Sequence, residues 1–273
     1  MRKGVSAAQN IAFLKFAREY GIYSAYNILV GFPNEPPNAY DSFIRQIPRL
    51  FHLQPPSGIT VVEYHRFSPY HNNPERFGIE LEPNPYYKML YPFEMADLAN
   101  IVYRFVRTDL QGGLPHMPYQ SDMQQAIFLW RNKFDGEYPL LLWYKVDKDI
   151  EILDSRNGSK TLFRIGGIAA DVFLLLDKPR TIADLRRQVA SCVEVEDSNN
   201  ELDTLIRLSL DNAIPICFNR QTFLAEPEAC LSLLDDAGLV FRDNTVNRQH
   251  LYVALPLAHY TQPIQRDWLG IGI

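Results

Sequence analysis

Two short apolar runs that alternate with helical patterns most limit what the first 110 residues can form. The runs cover residues 26–30 and 59–64, and helices are predicted over residues 6–20, 38–53 and 94–109. This alternation is typical of parallel α/β structure. Two parallel strands alone cannot make a stable sheet that is buried on both faces. We therefore expect further strands, encoded before Met1, to complete this region.

Proline and glycine mark a junction near residues 111–120. Thirteen of the 19 prolines lie in residues 1–118, and the junction contains Gly112, Gly113, Pro115 and Pro118. A helix cannot continue through such a segment. The pattern predicts two domains, residues 1–115 and 116–273.

The second domain has a different order of predicted elements. A helix over 120–132 precedes strands at 140–146 and 150–156, and the elements that follow are helices near 167–177, 181–192, 199–213 and 226–237 and strands at 239–241 and 251–255. Helices followed by a two-stranded wing outline a winged-helix module.

Composition narrows the class of function. The net charge is -5 and the sequence pI is about 5.7, whereas a general nucleic-acid binder carries a basic excess. The apolar runs are far shorter than the roughly 20 residues of a membrane helix, and the N-terminus lacks the apolar stretch of a signal peptide. We expect a cytoplasmic protein that binds neither nucleic acid nor membrane. The three cysteines and six histidines have no spacing typical of a metal site.

Residues 31–35, Gly-Phe-Pro-Asn-Glu, are the most informative short segment. A glycine at the end of a strand lets a ligand approach the backbone closely, and the carboxyl ends of parallel strands hold the active site in α/β barrels. Glu35 lies where the next helix is predicted to begin. An ordinary turn between a strand and a helix would fit the same residues.

A family resemblance extends this interpretation. In order and spacing, the chain resembles the later half of radical S-adenosylmethionine (SAM) barrels, above all those of cobalamin-binding maturases of ribosomally made peptides. The resemblance is carried by residues 1–5, 9–11, 27–35 and 66–70 and extends more weakly over residues 139–257. It implies a partial TIM-type barrel whose fifth and sixth strands are residues 27–31 and 59–64, followed by the winged-helix-like module.

The resemblance also implies roles for individual residues. Cofactor-binding positions would be Asn27, Leu29, Gly31, Glu35 and Arg66. The first three would lie near the adenosyl part of SAM, and Glu35 would orient the turn. The substrate cleft would be lined by Tyr64, Ser68 and Tyr70. Arg66 could pair with a carboxylate of SAM or of the substrate, or could tie down its own loop.

One departure from the family limits the expected activity. The [4Fe–4S] cluster of a radical SAM enzyme needs three clustered thiolates in a C-x-x-x-C-x-x-C loop, which this sequence lacks, as it lacks a cobalamin-binding domain. We expect no radical chemistry from the chain alone, and a separate polypeptide could carry the N-terminal half.

Two functions remain open. The chain could be the C-terminal part of an enzyme that modifies, by C-methylation, a precursor peptide, supplying part of the SAM pocket and of the substrate cleft. It could instead be a non-catalytic peptide-binding protein derived from that family. In either case, the peptide could add as a strand to a sheet edge at residues 140–146 or 251–255.

Overall fold

The computed structural model describes residues 4–110, 117, 119–191, 213–246 and 249–258. It is a mixed α/β structure with several separate sheets. Contacts divide the chain into a larger unit, Met1–Ser24, Pro48–Pro55 and Trp130–Ile273, and a smaller unit, Ala25–Ile47 and Pro56–Leu129. Both units are discontinuous in sequence, whereas the domains 1–115 and 116–273 are continuous. That division of the sequence stays a prediction.

The helices and strands are numbered in chain order. The described helices are α1 (Ala7–Glu19), α2 (Asp41–Gln46), α3 (Pro69–Asn72), α4 (Tyr87–Leu90), α5 (Met95–Leu98), α6 (Gln120–Gly136), α7 (Ile168–Leu175), α8 (Ile182–Ser191), α9 (Arg220–Ala225) and α10 (Pro227–Asp236). Short 3₁₀ turns cover Ile47–Leu50 and Pro74–Phe77. The described strands are β1 (Asn27–Val30), β2 (Gly58–Val61), β3 (Tyr64–His65), β4 (Leu81–Pro83), β5 (Arg104–Arg107), β6 (Leu141–Val146), β7 (Asp149–Asp154), β8 (Thr161–Gly167), β9 (Arg180–Thr181), β10 (Ile214–Phe218), β11 (Val240–Val246), β12 (Gln249–Ala254) and β13 (Leu257–Ala258).

A five-stranded sheet forms the centre of the larger unit. Its strand order is β10-β8-β7-β6-β13; β6, β7 and β8 are antiparallel, and the two outer strands run parallel to their neighbours. Alternation along the strands places Leu141, Ile150, Ile152 and Ile165 on one face, and all four are almost fully buried. The ring of Phe173 in α7 packs edge-on against Trp143, with ring centroids 6.0 Å apart.

A second sheet in the larger unit has the order β11-β12-β9, with antiparallel pairing throughout. Helix α1 belongs to the same unit and begins with a capping box between Ser6 and Gln9. The backbone N–H of Ala8 donates to the buried carboxylate of Asp243 in β11 at 2.9 Å. The positive end of the helix dipole also stabilises a carboxylate at this position.

The smaller unit contains two small sheets. Strands β1 and β2 form a parallel pair in which Asn27 lies opposite Gly58 and Val30 opposite Val61. Strands β3, β5 and β4 form an antiparallel sheet in which β5 is central. Its core is a cluster of buried side chains, Tyr64, Ile79, Leu98, Val102 and Phe105.

Most predicted elements are confirmed. The helix at 6–20 is α1, the strand at 26–30 is β1, and the helix at 120–132 is the start of α6. The hairpin is β6 and β7, and the helices at 167–177, 181–192 and 226–237 are α7, α8 and α10. The final strands form the antiparallel pair β11 and β12. The helix at 199–213 and most of the junction at 111–120 lie outside the described residues.

Three predicted elements are wrong. The helix at 38–53 is helical only over α2 and then becomes a 3₁₀ turn around Pro48, which has no N–H to donate. The strand at 59–64 is two strands in different sheets, because β2 ends at Val61 and Tyr64 begins β3. The helix at 94–109 stops after one turn, and Arg104–Arg107 form a strand instead.

One of the two proposed sheet edges is also wrong. Strand β12 pairs with β11 on one side and with β9 on the other, so the predicted edge at 251–255 is largely an interior strand. Strand β6 pairs with β7, and on its other side Leu142 and Trp143 lie opposite β13.

Within the described residues, no helix combines the length and apolar character that crossing a bilayer requires.

Candidate functional site

The turn that follows β1 is closed by the side chain of its own last residue. Gly31 has φ 78°, a conformation that favours glycine, and its backbone N–H donates to the carboxylate of Glu35 at 2.9 Å. The N–H of Glu35 donates to the carbonyl of Phe32 at 3.1 Å. Asn34, at φ 59°, donates its side-chain amide to the carbonyl of Phe77 at 3.2 Å. The turn is therefore held by specific hydrogen bonds on both of its sides.

The carboxylate of Glu35 is shared with two tyrosines. The hydroxyl of Tyr40 lies 2.5 Å from one oxygen of Glu35 and 2.9 Å from the carbonyl oxygen of Leu29, so its single proton has two acceptors in reach. The hydroxyl of Tyr119 donates to the other oxygen of Glu35, which also accepts from Gly31. The two tyrosine rings pack with centroids 4.7 Å apart.

Both tyrosines of this cluster keep their protons under ordinary conditions. Burial and the hydrogen bond to Glu35 raise the pKa of Tyr119 to about 12. The same two causes raise the pKa of Tyr40 far above its usual range. Burial, with a smaller contribution from the negative charge of Glu35, also raises the pKa of Tyr70. The hydroxyls of Tyr40 and Tyr119 are therefore proton donors beside the carboxylate rather than phenolates.

The predicted nucleoside-binding positions lie along one side of β1. Alternation places Asn27, Leu29 and Gly31 on the same face, and they go from exposed through half-buried to buried toward the carboxyl end of the strand. The structure thus brings Gly31 and Glu35 together at the carboxyl end of β1. Leu29 lies within the strand, and Asn27 is its first residue, at the opposite end. Asn27 keeps its side chain exposed, so a polar ligand can reach it.

Arg66 is engaged by its own neighbourhood. Its Nε donates to the carbonyl of Val102 and its Nη2 to the carbonyl of Ala99, both at 2.6 Å. The guanidinium also lies 5.5 Å from the ring centroid of Phe105. The sequence left two roles open for Arg66. These contacts favour the role in which Arg66 holds its own loop in place.

The three predicted cleft residues have separate surroundings. Tyr64 is buried in the core of the smaller unit and packs edge-on against Tyr70, with centroids 5.6 Å apart. Ser68 is the N-cap of α3 and accepts from the N–H of His71 at 3.3 Å. Tyr70 packs edge-on against Phe77 as well. Tyr64 and Tyr70 are therefore in contact, whereas the side chain of Ser68 caps α3.

Within the described ranges, no group of three or more His, Cys, Asp or Glu side chains could hold a metal ion. Of the three cysteines, Cys217 is half-buried and Cys230 buried, and Cys192 lies outside the described residues. The thiolate set that an iron–sulfur cluster needs is therefore not assembled in the described part.

A charged cleft of about 340 Å³ lies in the larger unit. Its two arginines are held within the protein: Arg156 donates to Asp154 through Nε at 2.9 Å and through Nη2 at 2.6 Å, and Arg49 donates to Asp235 at 2.6 Å. The cleft therefore joins elements of one unit rather than presenting these charges to a ligand.

The sequence patterns do not mark Tyr40 and Tyr119 as site residues. Tyr40 lies five residues after Glu35, but Tyr119 is 84 residues away along the chain. Neither residue belongs to a motif, so only the fold shows that they meet at one carboxylate. No protein-family model matches this chain, and no curated protein or solved structure is significantly similar to it.

Proposed function

We propose that this chain is the C-terminal part of a cobalamin-dependent radical SAM enzyme that modifies a ribosomally made peptide, through C-methylation. The observation that carries the proposal is the parallel pairing of β1 with β2, with the turn at Gly31–Glu35 at the carboxyl end of β1. Ligands bind at the carboxyl ends of strands in parallel α/β structure. The resemblance of residues 1–110 to radical SAM barrels supports the same assignment.

The residues fit part of a SAM site. Asn27, Leu29 and Gly31 would contact the nucleoside, Glu35 would hold Gly31 in place, and Tyr64 and Tyr70 would border the substrate cleft. Arg66 would support the loop of that cleft. When bound, the cluster and cobalamin supply reductive SAM cleavage and methyl transfer. The described residues offer no group of ligands for the cluster, and in this proposal both the cluster and cobalamin would be held by a separate polypeptide or another part of the enzyme.

Titration of the ¹⁵N-labelled chain with SAM tests this function. We expect amide shifts at Asn27, Leu29 and Gly31, and none with methionine, because the chain supplies the nucleoside part of the site. Replacing Asn27 by Ala should weaken SAM binding about fivefold, the effect of one lost hydrogen bond. The matched control is Asn157→Ala, at an exposed asparagine of the larger unit. No shift at residues 27–35 under saturating SAM would reject the proposal.

A second candidate is that the chain is a non-catalytic peptide-binding protein that binds its peptide by strand addition. One observation favours it. Beyond Trp143, the outer side of β6 has no partner strand among the described residues. The N–H of Ser155 bonds to the carbonyl of Leu140, so alternation turns the backbone groups of Leu141, Trp143 and Lys145 away from β7. Because β13 pairs with β6 as far as Trp143, a precursor peptide could pair by β-augmentation at the Lys145 end of the strand.

Two proline variants test strand addition. Lys145→Pro removes an N–H on the outer side of β6, where proline is tolerated, and should abolish binding of a precursor peptide without unfolding the sheet. Tyr144→Pro is the matched control, because it removes an N–H that faces β7 and should destabilise the protein itself. Calorimetry with peptides encoded near this gene would show the difference. Equal affinity of Lys145→Pro and the unmodified protein would exclude β6 as the docking edge.

A further inference from the structure

The carboxylate of Glu35 joins its own turn to Tyr119, a residue 84 positions away in the smaller unit. One oxygen accepts from Gly31 at the end of β1 and from Tyr119 at the start of α6. The other oxygen lies beside the hydroxyl of Tyr40, just before α2. Tyr119 is only 5% exposed, so water does not readily replace its hydroxyl. Each hydroxyl therefore restricts where the carboxylate can lie.

We propose that Tyr40 and Tyr119 are positioning residues that act through Glu35 on the backbone of Gly31, and so set the nucleoside-binding end of β1. This inference rests on the proposed function only where it names the ligand. Neither tyrosine touches the nucleoside in this scheme. Their role is to keep the acceptor of the Gly31 N–H in one place.

Gly31 follows β1 in the left-handed region, at φ 78°. Its left-handed conformation is one of several that glycine adopts at little cost, so the turn needs an outside restraint. A charge-assisted hydrogen bond to a carboxylate supplies that restraint. The carboxylate would rotate about its own side-chain bonds if nothing else held it. Two tyrosine hydroxyls that remain protonated remove this freedom.

Tyr40 has a second contact with the same strand. Its hydroxyl lies 2.9 Å from the carbonyl oxygen of Leu29, two residues before Gly31. Movement of Tyr40 would therefore alter two of the three backbone positions assigned to the nucleoside. Tyr119 reaches Gly31 through Glu35, and its hydroxyl also interacts with the Gly31 backbone directly. We expect Tyr40→Phe and Tyr119→Phe to disturb Gly31, and Tyr40→Phe to disturb Leu29 as well.

The amide resonances of the labelled chain provide the test. Tyr119→Phe should shift the Gly31 amide and lower SAM affinity about threefold, since one hydrogen bond to the carboxylate is lost. The matched control is Tyr144→Phe, which removes a tyrosine hydroxyl bonded to a carboxylate, that of Glu151, in the larger unit. The control should leave the Gly31 amide and SAM affinity unchanged.

The possible outcomes separate the two proposals. If Gly31 shifts in Tyr119→Phe but SAM causes no change in the unmodified protein, the positioning role stands and the SAM site falls. If SAM binds and Tyr119→Phe leaves both Gly31 and the affinity unchanged, the positioning role falls alone. Glu35→Gln gives a second route should Tyr119→Phe not fold. Its loss of negative charge should move the Gly31 amide and lower the pKa of Tyr119, read from the ultraviolet absorbance of tyrosinate.

Discussion

The ammonium of Lys15 lies 2.5 Å from the carboxylate of Asp177, and the Lys15 side chain is fully buried. A buried charge that loses its partner is costly. We expect Asp177→Asn to lower the free energy of unfolding by about 2–3 kcal/mol, less than for a fully buried pair, because the Asp177 side chain is 41% exposed. Urea unfolding measures the change.

The matched control for Asp177→Asn is Glu137→Gln. Glu137 pairs with Lys133 one turn earlier in α6, and its side chain is 52% exposed. Such a helix pair contributes only about 0.3–0.5 kcal/mol. A loss of similar size in both variants would show that the Lys15–Asp177 pair carries no special share of the stability.

His52 should make the protein less stable as the pH falls. Its Nε2 lies 3.0 Å from the carbonyl oxygen of Leu255, and burial, together with the positive charge of Arg156, lowers its pKa well below the usual range. Because the folded pKa is lower than the unfolded value of about 6.5, only the unfolded chain gains the proton just below that pH. The stability from neutral His52 is complete above about 6.5 and falls as the pH drops toward the folded pKa.

Replacing His52 by Gln isolates this effect. Glutamine can keep an N–H for the carbonyl of Leu255 but does not titrate. The fall in unfolding free energy between about pH 7.5 and 5.5 should therefore be shallower in His52→Gln than in the unmodified protein. Chemical unfolding at a series of pH values gives both slopes. Parallel slopes would mean that other groups cause the acid sensitivity.

Gly238 cannot be replaced without disturbing Arg156. It follows α10 with φ 71°, and a Cβ there would lie 3.2 Å from the Nη2 of Arg156. Arg156 is itself buried and donates to the carbonyl of Arg49 at 2.7 Å. Gly238→Ala should lower the free energy of unfolding by about 1–2 kcal/mol through the backbone conformation alone. Displacement of the guanidinium should add to this loss.

Gly158→Ala separates these two contributions. Gly158 has φ 82°, but a Cβ there would meet nothing within 4 Å. Its replacement by alanine reports backbone strain alone. We expect Gly238→Ala to lower the melting temperature further than Gly158→Ala does. Equal losses would show that the Arg156 network adapts to the extra methyl group.

Sequence patterns predicted most helices and strands but not how strands combine into sheets. The apolar run at 59–64 has the composition of one strand, yet β2 pairs with β1 and β3 pairs with β5. Leu98, Val102 and Phe105 have the spacing of a helical face, and all three are buried. In the structure Leu98 lies in a short helix, Phe105 lies in a strand, and Val102 lies in the segment between them. Spacing alone cannot distinguish these arrangements.

The candidate site shows the same limit. Gly31 and Glu35 are close in sequence, and their turn could be predicted from the strand that ends before it. Tyr119 could not, because a contact across 84 residues depends on the completed fold. Arg66 had two open roles, and only its carbonyl contacts distinguish them.

The parallel pair β1–β2 should exchange its amide hydrogens faster than β7 does. Among the described residues, each strand of the pair has one partner strand, whereas β7 lies between β6 and β8. Two-stranded sheets are marginally stable, and regions with few buried contacts open at low free energy. Hydrogen exchange measured by mass spectrometry should show early labelling at 27–30 and 58–61 and late labelling at 149–154.

Protein concentration serves as the control for this prediction. Another chain could pair with the edges of β1 and β2 that have no partner strand in the described part of the protein, and such pairing would slow exchange as the concentration rises. Slow exchange at 27–30 that persists on dilution, in a sample that light scattering shows to be monomeric, would contradict the prediction. It would mean that β1 gains protection from within its own chain.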